Sequence, residues 1–309
     1  MKGKKLIIFI SLLVFLAAIT VVFTLFVFHV HQYNEEVPVG KTDQGYLFLK
    51  TCDKCEKTKH CYYDSIVTFI DDDGKTQALL HWEKIIDATG IKMTSAIIPG
   101  KIGETTDYDT WHSYAGWDLL NRMKEKGVDF VHHTYNHKRL TSFTEEQLHD
   151  DFQKSVKILS ANGIDSNILV YPFCDYNETV ISVASLYFDY AFAGKNKTIK
   201  DISLDKYALA RTNTNDPKLV KTVTFDENRT VDCLGINSVN KFKEQMKTAI
   251  EDGSWLVYLT HAYDSPGGTY YFDEESEQTI IDFCKYVQSL KNVKIVTATE
   301  GVIAAKPIN

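Results

Sequence analysis

Three consecutive acids, Asp71-Asp72-Asp73, run into Gly74, and far downstream two histidines stand four apart in His133-Thr134-Tyr135-Asn136-His137. Each group directly follows an apolar, β-like run, Ser65–Ile70 in the first case and Val128–Val131 in the second. A carboxylate and two imidazoles gathered where strands end are a ligand set for a divalent metal that keeps positions open for water and substrate. Adjacent carboxylates repel one another if all are buried and ionised, so a cation or a shared proton is expected among the three acids. One acid can hold the metal while its neighbour takes a proton from bound water. Alone, the acids also describe a polar Asp-Gly turn, and the histidines a hydrogen-bonded pair on one side of a helical turn. Together they predict a metal-dependent hydrolase.

Two further segments carry groups such chemistry needs. Trp255–Thr260 reads as a buried strand ending in His261, a candidate general acid. Ile168–Tyr171 is an apolar strand closing on Pro172, and the backbone amides that follow, at Phe173 and Cys174, can face an oxyanion. A core histidine and a plain strand end are the ordinary alternatives. His132, next to His133, would point to the opposite face of a strand.

The elements that must position these groups alternate from residue 64 onward. Strands are predicted at 65–71, 92–98, 128–132, 167–172, 188–192, 207–211, 254–260 and 293–298, and helices at 76–89, 115–126, 144–161, 178–186, 238–251 and 275–290. The third helix opens with Thr144-x-x-Gln147, a capping-box pattern. Repeated β-then-α units argue for a parallel sheet wrapped by helices, and seven or eight of them favour an α/β fold closed as a distorted barrel. Chemistry then gathers at the carboxyl ends of the strands.

The chain of 309 residues carries a net charge of −7 with acids and bases intermixed, so no basic stripe marks a nucleic-acid binder. Leu6 to Phe28 holds no charged residue, and as a helix it covers roughly 34 Å, enough to cross a bilayer. Lys2, Lys4 and Lys5 precede it, and Glu35 and Glu36 follow. This bias predicts a cytoplasmic stretch 1–5, a signal-anchor 6–28 and an extracellular remainder, making a single-pass cell-membrane protein. A cleaved signal peptide fits less well, because the apolar core is long and no small-x-small site follows promptly.

All six cysteines lie beyond the anchor. Residues 29–63, with little periodicity, read as an extracellular stalk with a cysteine cluster. Cys52-x-x-Cys55 with His60-Cys61 could form a zinc knot. A local disulfide loop is the favoured reading, since the compartment is oxidising and no second paired half is present.

In order along the chain, these motifs resemble the polysaccharide deacetylase family, also called the NodB-homology or carbohydrate esterase family 4 domain. The family's Thr-Phe-Asp-Asp-Gly is similar to Thr68-Phe69-Ile70-Asp71-Asp72-Asp73-Gly74, and its His-Ser/Thr-x-x-His is met by His133–His137. Its Arg-x-Pro-Tyr-Gly-like motif is echoed by Tyr171-Pro172-Phe173-Cys174, and its Leu-x-His by Leu259-Thr260-His261. The resemblance spans roughly residues 64–300 and places the catalytic domain at 64–305. Carried over, it implies Asp73, His133 and His137 as ligands of a divalent metal, Zn²⁺ by preference, and Asp72 as catalytic base. It also implies the Phe173 amide, after Pro172, as oxyanion donor and His261 as the acid that protonates the leaving amine.

Two departures stand out. An extra residue precedes the Asp-Asp-Gly run, so Asp71 could face the site and compete as base. The arginine that supports the base in many relatives is replaced by Val170, and Arg211 could supply its charge. The implied activity is removal of N-acetyl groups from an extracellular or cell-wall amino-sugar polysaccharide, with the membrane as second partner through the N-terminal helix. O-deacetylation of polysaccharides is the alternative reaction, and a catalytically impaired glycan-binding domain is the alternative class.

Overall fold

The computed structural model describes residues 31–105, 112–194, 199–213, 223–226, 229–231, 239–261 and 274–308. The strands are β1 (Val37–Thr42), β2 (Gly45–Thr51), β3 (Thr58–Tyr63), β4 (Ser65–Asp73), β5 (Thr94–Ile97), β6 (Asp129–His132), β7 (Ile168–Val170), β8 (Tyr190–Gly194), β9 (Leu209–Asn213), β10 (Val223–Asp226), β11 (Arg229–Val231), β12 (Trp255–Thr260) and β13 (Val293–Ile295). The helices are α1 (Thr76–Thr89), α2 (Trp117–Glu125), α3 (Glu145–Ala161), α4 (Glu178–Ala184), α5 (Val239–Glu251), α6 (Glu274–Ser289) and α7 (Ala298–Ala304).

β4 is buried over its whole length, as a near-continuous apolar run on a central parallel strand requires. On one side it pairs with β12 from Ile66 to Asp71. Its other side is shared, β13 taking Ser65–Val67 and β5 taking Ile70–Asp73. From β5 the parallel order continues β6-β7-β8-β9-β12, which brings the sheet back to β4. The ring is therefore a nearly closed parallel barrel. Its joints are uneven, since β6 and β7 share a single register pair, His132 with Leu169.

Alternation along β4 divides two cores. Ile66 and Ile70 point inward to Ala96, Val131, Val170, Phe192 and Val257. Val67 and Phe69 point outward to the helices, where Phe69 meets Trp82, Tyr258 and Phe283 at ring-centroid distances of 5.3, 5.4 and 6.2 Å. α1 buries Ala78, Leu79, Trp82, Ile85 and Ile86 against that layer, the 3–4 spacing of an amphipathic helix. It ends where Gly90 takes a left-handed conformation and donates its N–H to Ile86 O. α3 opens with the expected Thr144/Gln147 capping box.

Several boundaries differ from expectation. The last strand stops at Ile295, and a helix with its own capping box, Thr297 with Glu300, follows at α7. β9 begins two residues later than expected and carries Arg211 inside the strand. The segment read as a stalk holds β1, β2 and β3, paired in that order. Tyr46 and Phe48 of β2 are buried with Ile66 and Trp255, which removes them from any solvated linker. β1 and β3 are short and hold few apolar residues in a row, whereas β2 does carry an apolar run, Tyr46–Leu49, amid otherwise polar sequence.

The described residues fall into two compact units, one made of 31–37 with Leu49–His60, the other of Pro38–Phe48 with Cys61 onward. Among the described residues no helix is long and apolar enough to cross a membrane. The span expected at 6–28 lies outside them.

Candidate active site

The three acids closing β4 meet three different environments. Asp71 continues the outward alternation and accepts a hydrogen bond from Thr260 Oγ1 at 2.9 Å. Burial pushes its carboxyl well above the usual range, although Thr260 and Trp82 favour the anion. Asp72 points inward. Arg211 NH1 donates to its Oδ1 at 2.6 Å, and both groups are buried, the arginine completely. That carboxylate keeps the guanidinium charged against the desolvation that opposes it.

Asp73 leaves the alternation through a positive φ of 79°, followed by Gly74 at 66°. A Cβ on Gly74 would stand 2.7 Å from Ile97 Cγ2, so glycine is required in this turn. Asp73 Oδ1 then lies 3.2 Å from His137 Nε2 and 3.5 Å from His133 Nε2, while its Oδ2 lies 3.4 Å from His261 Nε2.

The two motif histidines are not on a helical turn. β6 ends at His132, and His133–His137 is a loop in which Thr134 and His137 have φ of 64° and 53°. Side chains replace helical hydrogen bonds. Asp151 of α3 accepts from the N–H groups of Tyr135 and Asn136 at 2.7 and 3.1 Å, and Thr134 Oγ1 accepts from His137 N–H at 3.1 Å. Sequence reasoning missed Asp151; its only signal is an acid on the buried stripe of an amphipathic helix.

His133 Nδ1 donates to Val170 O at 2.8 Å, because a carbonyl can only accept. That tautomer leaves the Nε2 lone pair directed at the site, the arrangement expected of a metal ligand with a supported outer nitrogen. His132 faces the other way, bonded to Ser155 Oγ at 2.8 Å and Ser166 O at 3.1 Å, and burial lowers its pKa to about 4.

The electrostatics suit a cation. Burial works against the Asp73 anion, but His261, His133 and His137 outweigh it and hold the carboxyl well below its usual range. Burial also lowers His137 to about 4, so its ring is neutral and able to ligate at neutral pH. For His133, burial is outweighed by Asp72 and Asp73, which raise its pKa. Asp73 Oδ1 is buried and has no hydrogen-bond partner despite two ring nitrogens within 3.5 Å. A buried carboxylate oxygen with two imidazole nitrogens converging on it within 3.5 Å fits a shared metal ion, which would take the place of a proton on either ring. Ligand atoms of Asp73, His133 and His137 all lie within 4.8 Å of one another.

Pro172 opens a single helical turn, Pro172–Cys174, in which Phe173 and Cys174 have φ of 56° and 52°. The Phe173 ring stacks obliquely on His137 at 4.6 Å between centroids and remains 54% exposed. The structure thus brings Asp72, Asp73, His133, His137, Arg211 and His261 together, with Phe173 joined to them through His137 and Pro172 buried at the start of its turn. Asp71 lies on the far side of the same strand.

Residues 61–189 match the family model for polysaccharide deacetylase. A search of curated proteins returned no match. Among solved structures, a Mycobacterium smegmatis protein assigned to the polysaccharide deacetylases shares the fold at a TM-score of 0.55 and 12% identity, over 90% of this chain and 99% of its own. A family 4 carbohydrate esterase from Streptomyces lividans, in complex with acetate, aligns at 0.49 and 12% identity, over 80% of this chain and 100% of its own. The family match lies over the strands that supply the acids and the histidine loop, and the fold is shared with the Mycobacterium smegmatis protein.

Proposed function

We propose that this protein is a metal-dependent hydrolase that removes N-acetyl groups from an amino-sugar polysaccharide outside the cell. The observation that carries the reading is the buried, unbonded Asp73 Oδ1 facing two imidazole nitrogens beside an arginine-paired Asp72. Asp73, His133 and His137 would hold a divalent ion, Zn²⁺ by the character of the donors. Bound there, such an ion supplies Lewis acidity for the acetyl carbonyl and acidifies water near neutrality.

The remaining chemistry belongs to the chain. Asp72, fixed by Arg211, takes the proton of the attacking water. The N–H groups of Cys174 and Asp175 are engaged by Tyr171 and Pro172 carbonyls. Phe173 N–H is the amide of this turn proposed to receive the charge on the carbonyl oxygen, a donor typically worth about 3–4 kcal/mol. His261 hands a proton to the amine nitrogen, and the carbon–nitrogen bond breaks to release acetate and a free amine. The N-terminal apolar segment is proposed as the anchor that places this domain at the cell surface, where N-acetylglucosamine polymers such as peptidoglycan or poly-N-acetylglucosamine are within reach.

The test is acetate release from defined N-acetylglucosamine oligomers and from acetylated xylan, with metal stripped and then restored. The reading expects zinc-restored release from the oligomers. Release from xylan alone would move the activity to O-acetyl esters, and none from either would leave only the glycan-binding class.

A further inference from the structure

In the small unit of 31–37 with Leu49–His60, one turn gathers two thiols and an imidazole that the barrel chemistry does not use. Cys52 Sγ and Cys55 Sγ lie 3.4 and 3.3 Å from the same atom, His31 Nδ1, and the three ligand atoms fall within 4.8 Å of one another. The local backbone builds this convergence. Glu56 N–H donates to Cys52 O and Cys52 N–H to Lys57 O, both at 2.9 Å, and Glu56 takes a left-handed φ of 56° to close the turn. Asp53 N–H donates to Gln32 O at 3.1 Å, and Tyr33 bridges antiparallel to Cys52, which sets His31 in register with the two sulfurs.

Hydrogen bonding explains half of this geometry. An imidazole Nδ1 carries one proton or one lone pair, so it serves one sulfur, yet two stand at nearly equal distance. No disulfide joins Cys52 to Cys55. A tetrahedral ion with metal–sulfur bonds of about 2.3 Å and metal–nitrogen bonds of about 2.0–2.1 Å sets nitrogen–sulfur edges of roughly 3.5 Å. The two edges in the structure, 3.4 and 3.3 Å, are close to that value. Thiolates with imidazole select zinc-class ions over magnesium or calcium.

We propose that His31, Cys52 and Cys55 form a second metal site, for Zn²⁺ or a similarly thiophilic divalent ion, with the fourth position open to water or another ligand. Binding releases the two thiol protons and leaves two thiolates on the ion. The missing half of the zinc knot is His31, twenty-one residues upstream of Cys52, whereas His60 and Cys61 are not members of this group. The proposal is independent of the reaction assigned to the barrel.

The full chain, purified under reducing conditions and stripped of metal, is titrated with Co²⁺. The barrel set of Asp73, His133 and His137 has no sulfur, so a thiolate-to-cobalt charge-transfer band reports the cysteine site alone. Wild type is expected to bind two ions and show the band. The double variant Asp73→Asn/His133→Ala should bind one ion and keep the band in full. Cys55→Ser and His31→Ala, both outside the core, should each lose the band or most of it while metal-dependent acetate release stays at the wild-type level. The proposal is overturned if wild type shows no band, whether or not mass analysis finds a Cys52–Cys55 disulfide. A band that persists undiminished in Cys55→Ser and in His31→Ala overturns it equally.

Discussion

The mouth of the barrel and the layer just behind it, between strands and helices, carry the same residue types one position apart. Asp72 and His133 face the mouth; Asp71 and His132 face the layer. Inside the mouth each group has a charged or ligating counterpart: Asp72 has Arg211, and His133 has Asp73. Behind it burial leads and no opposite charge answers it: Asp71 has Thr260 as hydrogen-bond partner while Asp72 and Asp73 add to the upward push, His132 has Ser155 and the Ser166 carbonyl, and both side chains are pushed toward their uncharged forms. The direction of a side chain across a strand, and not its residue type, decides whether it does chemistry or fills a core.

Four substitutions break or sharpen this contrast. The largest effect is expected from Asp73→Ala, which should bring acetate release to background and remove one metal equivalent; retention of both would place the metal elsewhere. Next is Arg211→Met, which leaves the Asp72 carboxylate buried without its partner. Breaking such a pair costs about 3–5 kcal/mol, read as a lower midpoint in denaturant unfolding. An unchanged midpoint would mean the pair is not what holds Asp72.

His132→Gln should leave turnover within about threefold and change pH behaviour instead. In wild type the folded pKa near 4 lies below the ordinary 6.5. The unfolded chain therefore binds the proton first, and stability contributed by the neutral ring is lost as pH falls from 6.5 toward 4. The variant should lose less stability over that window; an identical profile would contradict the burial argument. The smallest effect is expected from Asp71→Asn. A carboxyl with a raised folded pKa costs stability as pH climbs past 3.8, because only the unfolded chain then ionises. The amide has no such cost, so the variant should match wild type in acid and gain on it toward neutrality, with acetate release unchanged. A loss of release comparable to that of Asp73→Ala would put Asp71 in the reaction.

The parallel strands were legible because central parallel strands are apolar on both faces, and α3 was legible because a capping box is a local signal. The histidine loop was not. Four-residue spacing reads as a helix, yet here it is produced by two left-handed residues and the buried carboxylate of Asp151, which the pattern does not encode. The Asp72–Arg211 pair joins positions 139 apart, and Arg211 was suggested only as a replacement for a missing charge. β1 and β3 carry too few consecutive apolar residues to stand out, and the four-residue run Tyr46–Leu49 of β2 is set in polar, cysteine-bearing sequence that reads as a stalk. His31 was hidden for the same reason as Arg211: its partners lie on another segment. Local signals reached the elements, and contacts between distant segments supplied the chemistry.

The most direct test of the account is Asp72→Asn assayed with metal content measured on the same sample. If Asp72 is the base beside a metal held by its neighbours, both metal equivalents remain and acetate release from N-acetylglucosamine oligomers falls by about 10²–10⁴-fold. Full release with metal bound would contradict the account, because the proton would then leave the attacking water by another route.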